Sequence, residues 1–204
     1  MNELTFSDLR KRDYKKVIEL AIRGMNFRWY LKGRLPLKMY GKYFLYLELS
    51  KASQVIACYR GEELAGLLLA DMKGERKFKL SPLKRLYVRF IDFVQHAFVK
   101  GGVEPYDDAN REMLESYERS NDPDGEICFL AANKDLGMKG IGTELLGELA
   151  KREKGKEIYL FTDTGCTYQF YEHRGFERAG QKDVVLVISG HRTDLTCLLF
   201  RKTL

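Results

Sequence analysis

The chain has 204 residues, of which 45% are hydrophobic, 31% charged and 12% aromatic. This balance excludes a disordered, collagen-like or coiled-coil protein, and no apolar run approaches the roughly 18 residues that cross a membrane. The length fits one domain with an insertion, and a chain of this size buries enough surface to fold without disulfides or metal.

The net charge of +6 is unevenly spread along the chain. Residues 1–60 hold 13 Lys/Arg against 5 Asp/Glu, whereas residues 104–126 hold nine acidic residues against Arg111 and Arg119. The basic third could attract an anionic ligand or a nucleic acid, but dispersed basic residues are more typical of a solvated helical face. The acidic stretch is typical of a surface helix and would also suit a cationic substrate.

The four cysteines are scattered without a Cys-x-x-Cys pair, and the three histidines show no metal-ligand spacing. We therefore expect no zinc site, no disulfide framework and no other metal. The first residues contain no apolar stretch of the kind that a secretory signal needs, so a reducing cytoplasmic location is predicted.

The first 72 residues are predicted to form a helix, an aromatic segment and a strand pair. Residues 13–24 have apolar positions at helical spacing, and Gly24 ends this helix. Residues 25–50 are rich in Tyr and Phe, and we expect Gly33, Pro36 and Gly41 to break any long helix there. Two strands, 54–59 and 64–72, flank a four-residue hairpin connection.

Residues 73–125 look like a helical insertion. One helix is predicted over 82–99, ended by Gly101-Gly102, and a second, acidic helix over 106–118. The remainder alternates strands and helices, which makes the chain a mixed α/β (α+β) protein. The predicted elements are a strand over 126–132, a helix over 141–152, a strand over 157–162, a short helix over 168–173, and closing strands over 184–188 and 195–201.

A glycine-rich loop, Gly137-Met138-Lys139-Gly140-Ile141-Gly142-Thr143, joins a predicted strand to a predicted helix. Glycines there let the backbone approach a phosphate closely, and the helix N-terminus adds unpaired N–H groups and partial positive charge. A Walker A loop is rejected because Thr143 and Glu144 stand where the phosphate-binding Lys would follow. A dinucleotide fingerprint is rejected because its third glycine position is Leu145. An acyl-CoA loop remains.

The stretch from Glu126 to Phe176, about 50 residues of the 204, resembles the GNAT N-acetyltransferase superfamily. The loop motif of that family, Gln/Arg-x-x-Gly-x-Gly/Ala, is matched at Gly140-Ile141-Gly142, with Gly137 in place of Gln/Arg. The Tyr-Glu-x-x-Gly-Phe motif of the family is matched at Tyr171–Phe176. The two matches lie in the right order, about 30 residues apart, and together they are far more specific than either alone.

The resemblance implies one GNAT-like domain over residues 1–204. Its mixed central sheet would have about six to seven strands flanked by helices, with the insertion at about 73–125 before the central strand and the acyl-CoA-binding core over 126–176. The implied activity is acetyl-CoA-dependent N-acetyltransfer, directly from CoA to a primary amine within a ternary complex. A catalytically silent acyl-CoA-binding or regulatory module is the alternative, and no nucleic-acid motif supports a third reading built on the basic third.

Two catalytic residues are implied by the resemblance. Tyr171 matches the tyrosine that protonates the CoA sulfur, although it could simply pack the short helix. Glu126 opens the central strand fourteen residues before Gly140, where histone-type members hold the general base, although a strand-edge surface acid would look the same. By strand alternation, Glu126, Cys128, Leu130 and Ala132 are expected on one face, along the reactive end of the cofactor.

The cofactor-binding residues follow from the same resemblance. Leu130, Ala131 and Ala132 match the strand whose backbone pairs with the pantetheine arm, and the Ala132 N–H would meet the thioester carbonyl. The backbone of the glycine loop would hold the pyrophosphate, with Lys139 adding charge. Thr164 stands where members of the family often have Asn. The loop residues concerned are Gly137, Met138, Lys139, Gly140, Ile141, Gly142 and Thr143.

The sequence says less about the acceptor and the oligomeric state than about the cofactor. Cys166, just before the short helix, is a weaker candidate for a nucleophile in an acyl-enzyme route. The aromatic segment 25–50 and the insertion are expected to meet the acceptor, although most of these aromatics would also serve as core. We expect a small-molecule amine, with a peptide or protein amine left open, no nucleic acid, no membrane, and a monomer or homodimer.

Overall fold

The computed structural model describes residues 3–29, 31, 33–98, 104–188 and 191–204. Seven strands in this part form one mixed sheet in the order β1-β2-β3-β4-β5-β7-β6, which confirms the predicted α/β class. The strands are β1 (Leu4–Ser7), β2 (Gln54–Arg60), β3 (Glu63–Met72), β4 (Gly125–Ala132), β5 (Glu157–Asp163), β6 (Glu177–Ile188) and β7 (His191–Thr203). The helices are α1 (Tyr14–Gly24), α2 (Arg34–Lys51), α3 (Pro82–Phe98), α4 (Glu104–Glu118), α5 (Ile141–Arg152) and α6 (Gln169–Glu172).

Helices cover both faces of this sheet. On one face, α1 and α2 pack over β2, β3 and β4, α3 packs on α2, and α4 packs over β6 and β7. On the other face, α5 and α6 pack against the centre of the sheet. Because the middle strands β2 and β3 are covered on both faces, they read as nearly continuous apolar runs rather than alternating ones. No described helix is long and apolar enough to cross a membrane.

The aromatic segment departs from its prediction. Residues 34–51 form one continuous helix, α2, although we expected breaks at Pro36 and Gly41. Pro36 is the third residue of the helix, where its missing N–H has no intrahelical acceptor to lose. Gly41 faces α1, and a Cβ atom there would lie 2.8 Å from Ile22 Cγ1, so glycine lets the two helices pack closely.

The insertion forms its two predicted helices, α3 and α4, which pack in different places. The apolar residues of α3, such as Val88 and Ile91, join the cluster around α2, whereas Met113 and Tyr117 of α4 pack on β6 and β7. The Gly101-Gly102 pair expected to end α3 lies outside the described residues. The closing hairpin is longer than predicted, since β6 begins at Glu177 and β7 runs to Thr203.

Six basic residues of the first third line a groove between α1 and α2. It has a volume of about 790 Å³, and its floor includes Ile18, Ile22 and Leu37. The cationic side chains on its rim are Lys15, Arg23, Arg28, Arg34, Lys38 and Lys42. Helix α1 is also tied to the turn after β4, where Asp135 accepts from Lys16 at 2.8 Å and from Arg23 at 2.7 Å.

The feature that matters most for a site is the junction of β4 and β5. These parallel strands pair only at Gly125 with Ile158 and at Glu126 with Tyr159. Beyond that point β4 continues beside β3, and β5 continues beside β7. The two halves of the sheet therefore diverge after Glu126 and leave a wedge between them, which we call the β4–β5 wedge.

Candidate active site

The open edge of β4 lines the β4–β5 wedge with backbone groups. Asn133 N donates to Ala65 O at 2.7 Å, and Ala132 stands opposite Gly66 in the next register position. Since antiparallel partners alternate between bonded and non-bonded pairs, the N–H of Ala132 points away from β3 and into the wedge. The same alternation turns the N–H of Leu130 into the wedge, so two backbone donors face it.

A β-bulge in β4 overturns the expected alternation of its side chains. Leu69 of β3 stands opposite Phe129, but its neighbour Ala70 stands opposite Ile127, so Cys128 is an extra residue. The bulge leaves Cys128 on the α2 side of the sheet, whereas Leu130 and Ala132 pack on the α5 side. The prediction that Glu126, Cys128, Leu130 and Ala132 share one face is therefore wrong, because an inserted residue reverses the alternation beyond it.

Glu126 lies on the α2 side, among titratable groups. The hydroxyl of Tyr159 lies 3.4 Å from Glu126 Oε2, a long hydrogen bond in which the phenol donates. Burial and the negative charge of Glu48 raise the pKa of Glu126, and Lys51 and Tyr159 oppose this effect. Glu126 is thus a partly buried carboxylate of increased basicity, a property that suits a general base better than it suits a surface acid.

The glycine loop is held in place by Asn133. Its side-chain Nδ2 donates to Leu64 O at 3.0 Å, and its Oδ1 accepts from Asp135 N at 3.2 Å. Gly137 and Gly140 then adopt left-handed φ values of 64° and 85°, which other residues adopt only with strain. Gly140 precedes the first turn of α5 and has no side chain to cap it, so the first amides of that helix are available to an anion.

Close packing joins the two sequence motifs. A Cβ atom at Gly142 would lie 2.8 Å from Phe170 Cζ, so the absence of a side chain here lets α5 pack directly against the Phe170 ring. The guanidinium of Arg174 stacks 4.0 Å above the same ring, and its Nε donates to Thr143 Oγ1 at 2.8 Å. Arg174 therefore holds a positive charge beside the first turn of α5. The sequence analysis missed this residue, although it lies inside the Tyr-Glu-x-x-Gly-Phe motif.

Tyr171 lies on the α5 side of the sheet, on α6. Its ring packs against Phe176 at 5.5 Å and Phe200 at 6.2 Å between centroids. Burial, with a smaller contribution from Cys166, raises the pKa of Tyr171 above the usual phenol range. The phenol is therefore protonated at neutral pH and can act as a proton donor. Tyr171 and Glu126 pack on opposite faces of the sheet.

The remaining cofactor candidates of the sequence analysis differ in their surroundings. Met138 packs against the α5-side cluster, whereas Lys139 is exposed. Thr164 joins β5 to β7, because its Oγ1 accepts from Thr196 N at 3.0 Å and its own N–H donates to Thr196 O at 3.1 Å. The Thr164 hydroxyl still has a proton to donate.

The surroundings of Cys166 argue against a role as nucleophile. Burial, followed by the charge of Asp163, raises the pKa of its thiol to about 12, so little thiolate exists at neutral pH. The helix after it, α6, has only four residues and supplies little dipole. No group of His, Cys, Asp and Glu within the described residues is arranged to hold a metal ion.

The aromatic segment mainly builds the core. Phe27 packs edge-on against Tyr40 at 4.8 Å and against Phe44 at 5.3 Å, and Phe44 contacts Phe129 of β4 at 5.6 Å. These rings support the wedge from beneath. Tyr30 lies outside the described residues.

Comparison with known proteins gives matches in structure alone. No family model matches the sequence, and no curated protein matches it significantly. The C-terminal condensation domain of Ebony, in complex with beta-alanyl-dopamine, is similar with a TM-score of 0.58 and 12% identity, over 100% of both chains. A structure described as histone acetyltransferase HPA2 and related acetyltransferase from Corynebacterium glutamicum is similar with a TM-score of 0.56 and 14% identity, over 98% of this chain and 96% of that one.

An acetyltransferase of the GNAT family from Desulfovibrio desulfuricans is similar over 98% of this chain and 99% of its own, with a TM-score of 0.50 and 13% identity. At such identities the likeness concerns the fold. It extends over nearly the whole chain and agrees with the two motifs and with the divergent strands β4 and β5. The chain therefore has the fold of the GNAT N-acetyltransferase superfamily, as its motifs predict.

Proposed function

We propose that this protein is an acetyl-CoA-dependent N-acetyltransferase that moves an acetyl group directly to a primary amine within a ternary complex. The observation that carries the proposal is the β4–β5 wedge. It sets backbone donors of β4 that point away from β3 beside a glycine loop, and this loop opens onto a helix N-terminus without a side-chain cap.

The residues on the α5 side suit acetyl-CoA as the co-substrate. The N–H groups of Leu130 and Ala132 would pair with the pantetheine arm as a neighbouring strand does. The amides at the start of α5 would bind the diphosphate, which carries the negative charge that a helix N-terminus favours. Arg174 and Lys139 would add positive charge, and Arg174 would replace the side chain that Gly137 lacks.

The proposed reaction needs no covalent intermediate on the protein. The amine nitrogen attacks the thioester carbonyl carbon, and the Ala132 N–H stabilises the oxyanion that forms. Glu126 accepts the proton that leaves the nitrogen, directly or through one water molecule. The C–S bond then breaks, and the Tyr171 hydroxyl donates its proton to the departing thiolate.

The acceptor is proposed to enter from the α2 and α4 side. Glu126 and Glu48 lie on this side, and Asp107 of α4 lies close enough to Lys51 for their charges to interact. Acidic groups around the approach favour a cationic amine. The acceptor class stays the one predicted from the sequence, a small-molecule amine, with a peptide or protein amine as the other outcome of the screen.

Thermal unfolding in parallel with acetyl-CoA, CoA and ATP tests the cofactor first. A ligand at ~100 times its dissociation constant stabilises by about 2.7 kcal/mol, which raises the midpoint by several degrees in a chain of this size. We expect a shift with both CoA species and none with ATP, followed by acceptor-dependent release of CoA thiol in an amine screen. No shift with either CoA species would overturn the proposal. CoA binding without turnover on any amine would favour a silent acyl-CoA-binding module.

A further inference from the structure

A stripe of apolar side chains on α3 is left uncovered by the described part of the chain. One side of this helix is buried, where Val88 and Ile91 pack against the cluster around α2. On another side, four large apolar side chains follow the spacing of a single helical face, and each of them is 58–78% exposed. These residues, which we call the α3 stripe, are Leu83, Leu86, Phe90 and Phe93. A contiguous apolar surface of this kind marks an interaction site.

The apolar surface continues from α3 onto α2. The hydroxyl of Tyr87 donates to Met39 O at 2.9 Å. On the helix surface, Tyr87 adjoins Leu83 and Phe90 of the stripe, which lie four residues before it and three residues after it. Met39 and Leu35, one turn apart on α2, are 41% and 68% exposed. The exposed apolar residues of the two helices therefore lie next to one another.

Cations border this surface. Residues 76–91 contain six Lys/Arg and no Asp/Glu. Arg85 and Arg89 are exposed on α3, and neither forms an ion pair with any described residue. Lys42 of α2 lies 4.4 Å above the centre of the Tyr87 ring and also lines the groove between α1 and α2. The α3 stripe is thus joined to the basic groove, and the apolar and cationic groups form one continuous surface.

The shape and the charge of this surface fit a lipid membrane better than a folded protein. The side chains of the α3 stripe project from a helix, and none of them lines the groove between α1 and α2. A protein partner would need a cleft of its own to enclose them, whereas acyl chains close around projecting side chains without a matching shape. Leu and Phe on one face of a helix, with Lys and Arg beside them, are typical of helices that lie in the membrane interface, and the cations favour anionic headgroups.

We propose that the α3 stripe, with Leu35 and Met39 beside it, is a docking surface for an anionic lipid membrane. The apolar side chains would enter the boundary between headgroups and acyl chains, and Arg85, Arg89 and the cations of the groove would meet lipid phosphates. The protein would then lie on the membrane without crossing it.

This inference is independent of the proposed acetyl transfer. It departs from the sequence-based expectation of no membrane partner, because periodicity predicts the apolar residues of α3 but not which of them the fold leaves exposed.

Co-sedimentation of the 204-residue chain with phospholipid vesicles tests the proposal. We expect binding to vesicles of phosphatidylglycerol mixed with phosphatidylcholine, weaker binding to pure phosphatidylcholine, and a loss of affinity as salt rises. Phe90→Ser/Phe93→Ser should lower the partition constant by at least ~10-fold, because two apolar side chains no longer enter the interface. Arg85→Gln/Arg89→Gln should lower it by about 30-fold on the anionic vesicles and change it little on phosphatidylcholine.

Two matched control variants lie away from the α3 stripe. Val185→Ser/Val187→Ser replaces two exposed apolar residues of β6. Lys151→Gln/Lys154→Gln removes two exposed charges at the end of α5, on the opposite face of the sheet. Both controls should bind vesicles as the unchanged protein does. All of these side chains are exposed, so each variant should fold, and circular dichroism checks this.

Binding that is selective for anionic vesicles, that falls with salt and that is lost in the Phe90→Ser/Phe93→Ser variant would support the inference. No binding to either kind of vesicle, equal binding to both kinds, or unchanged binding by that variant would overturn it. Dimers that form without lipid and dissociate on the same substitutions, as measured by analytical ultracentrifugation, would also overturn it and would identify a second copy of the chain as the occupant. Acetyl transfer is measured without lipid, so none of these results decides the proposed function.

Discussion

The two sides of the β4–β5 wedge are built from different chemistry. On the α5 side, the candidate contacts are mostly backbone amides and closely packed small or aromatic residues, such as Ala132, Gly140 and Phe170. On the α2 side, they are titratable side chains, Glu48, Lys51 and Glu126. Backbone recognition suits a ligand that is always the same, whereas side chains suit proton transfer and a variable partner. Apart from the proposed proton donor Tyr171, substitutions on the α5 side should therefore weaken CoA binding, whereas substitutions on the α2 side should change the pH dependence of turnover.

The largest expected effect comes from the glycine loop. Gly140→Asp forces a residue with a side chain into the left-handed region and places a negative charge at the anion site, so CoA affinity should fall by at least ~100-fold in titration calorimetry. Gly155→Asp is the matched control, because Gly155 also has a positive φ (81° against 85°) and no neighbouring atom within 4 Å of the position that a Cβ would take. Equal losses of CoA affinity in both variants would show that backbone strain, and not the site, is responsible.

Tyr171→Phe should lower kcat by about 100-fold and leave CoA affinity nearly intact, because the phenol acts on the leaving thiolate and its ring packing is retained. Steady-state kinetics with parallel CoA titration would measure both. Tyr87→Phe removes a hydroxyl that bonds to Met39 O, far from the wedge, and should change neither. Unchanged turnover in Tyr171→Phe would remove the acid assignment.

Arg174→Gln should weaken CoA binding by about tenfold, and the loss should shrink as salt rises, because a charge-assisted contact to the diphosphate is removed. Titrations at two salt concentrations would detect it. Arg178→Gln, which breaks an ion pair of 2.7 Å with Glu172 on the protein surface, is the control. An equal loss of CoA affinity in both variants would mean that Arg174 contributes only general positive charge.

The smallest expected effect is a change in stability when Glu126, on the α2 side, is replaced. Because burial and Glu48 raise the pKa of Glu126 in the folded state, ionising it costs stability as pH rises through that pKa. Glu126→Gln should therefore raise the unfolding midpoint near neutral pH by about 2–4 °C while turnover falls, and this gain should vanish at acid pH. Thermal unfolding across pH would test this, and a gain independent of pH would argue against a charge effect.

Much of the α5 side could be predicted from sequence because its constraints are local. A left-handed turn, a helix start and a tight contact each demand glycine, so Gly137, Gly140 and Gly142 appear as a pattern within six residues. Arg174 was not predicted as a site residue because the residue that it contacts, Thr143, lies 31 positions away in the chain. The pattern indicated where an anion would bind but did not show which cation stands beside it.

The α2 side required the tertiary structure. Strand alternation placed Glu126 on the same face as Leu130, but the bulge at Cys128 separates them, and no residue type marks such an insertion. Pro36 and Gly41 predicted breaks in a helix that is in fact continuous. The first turn of α2 tolerates Pro36, and the close packing of α2 on α1 requires glycine at position 41.

By itself, the sequence determined the class of the fold and the position of the glycine loop, because periodicity and tight turns act over a few neighbouring residues. Only the tertiary structure brought the charges of Glu48 and Lys51 close enough to Glu126 to act on its pKa, although Glu126 lies some 75 positions further along the chain. Charges interact through space over several ångströms. Their partners are therefore set by the packing of helix on sheet, which no local pattern records.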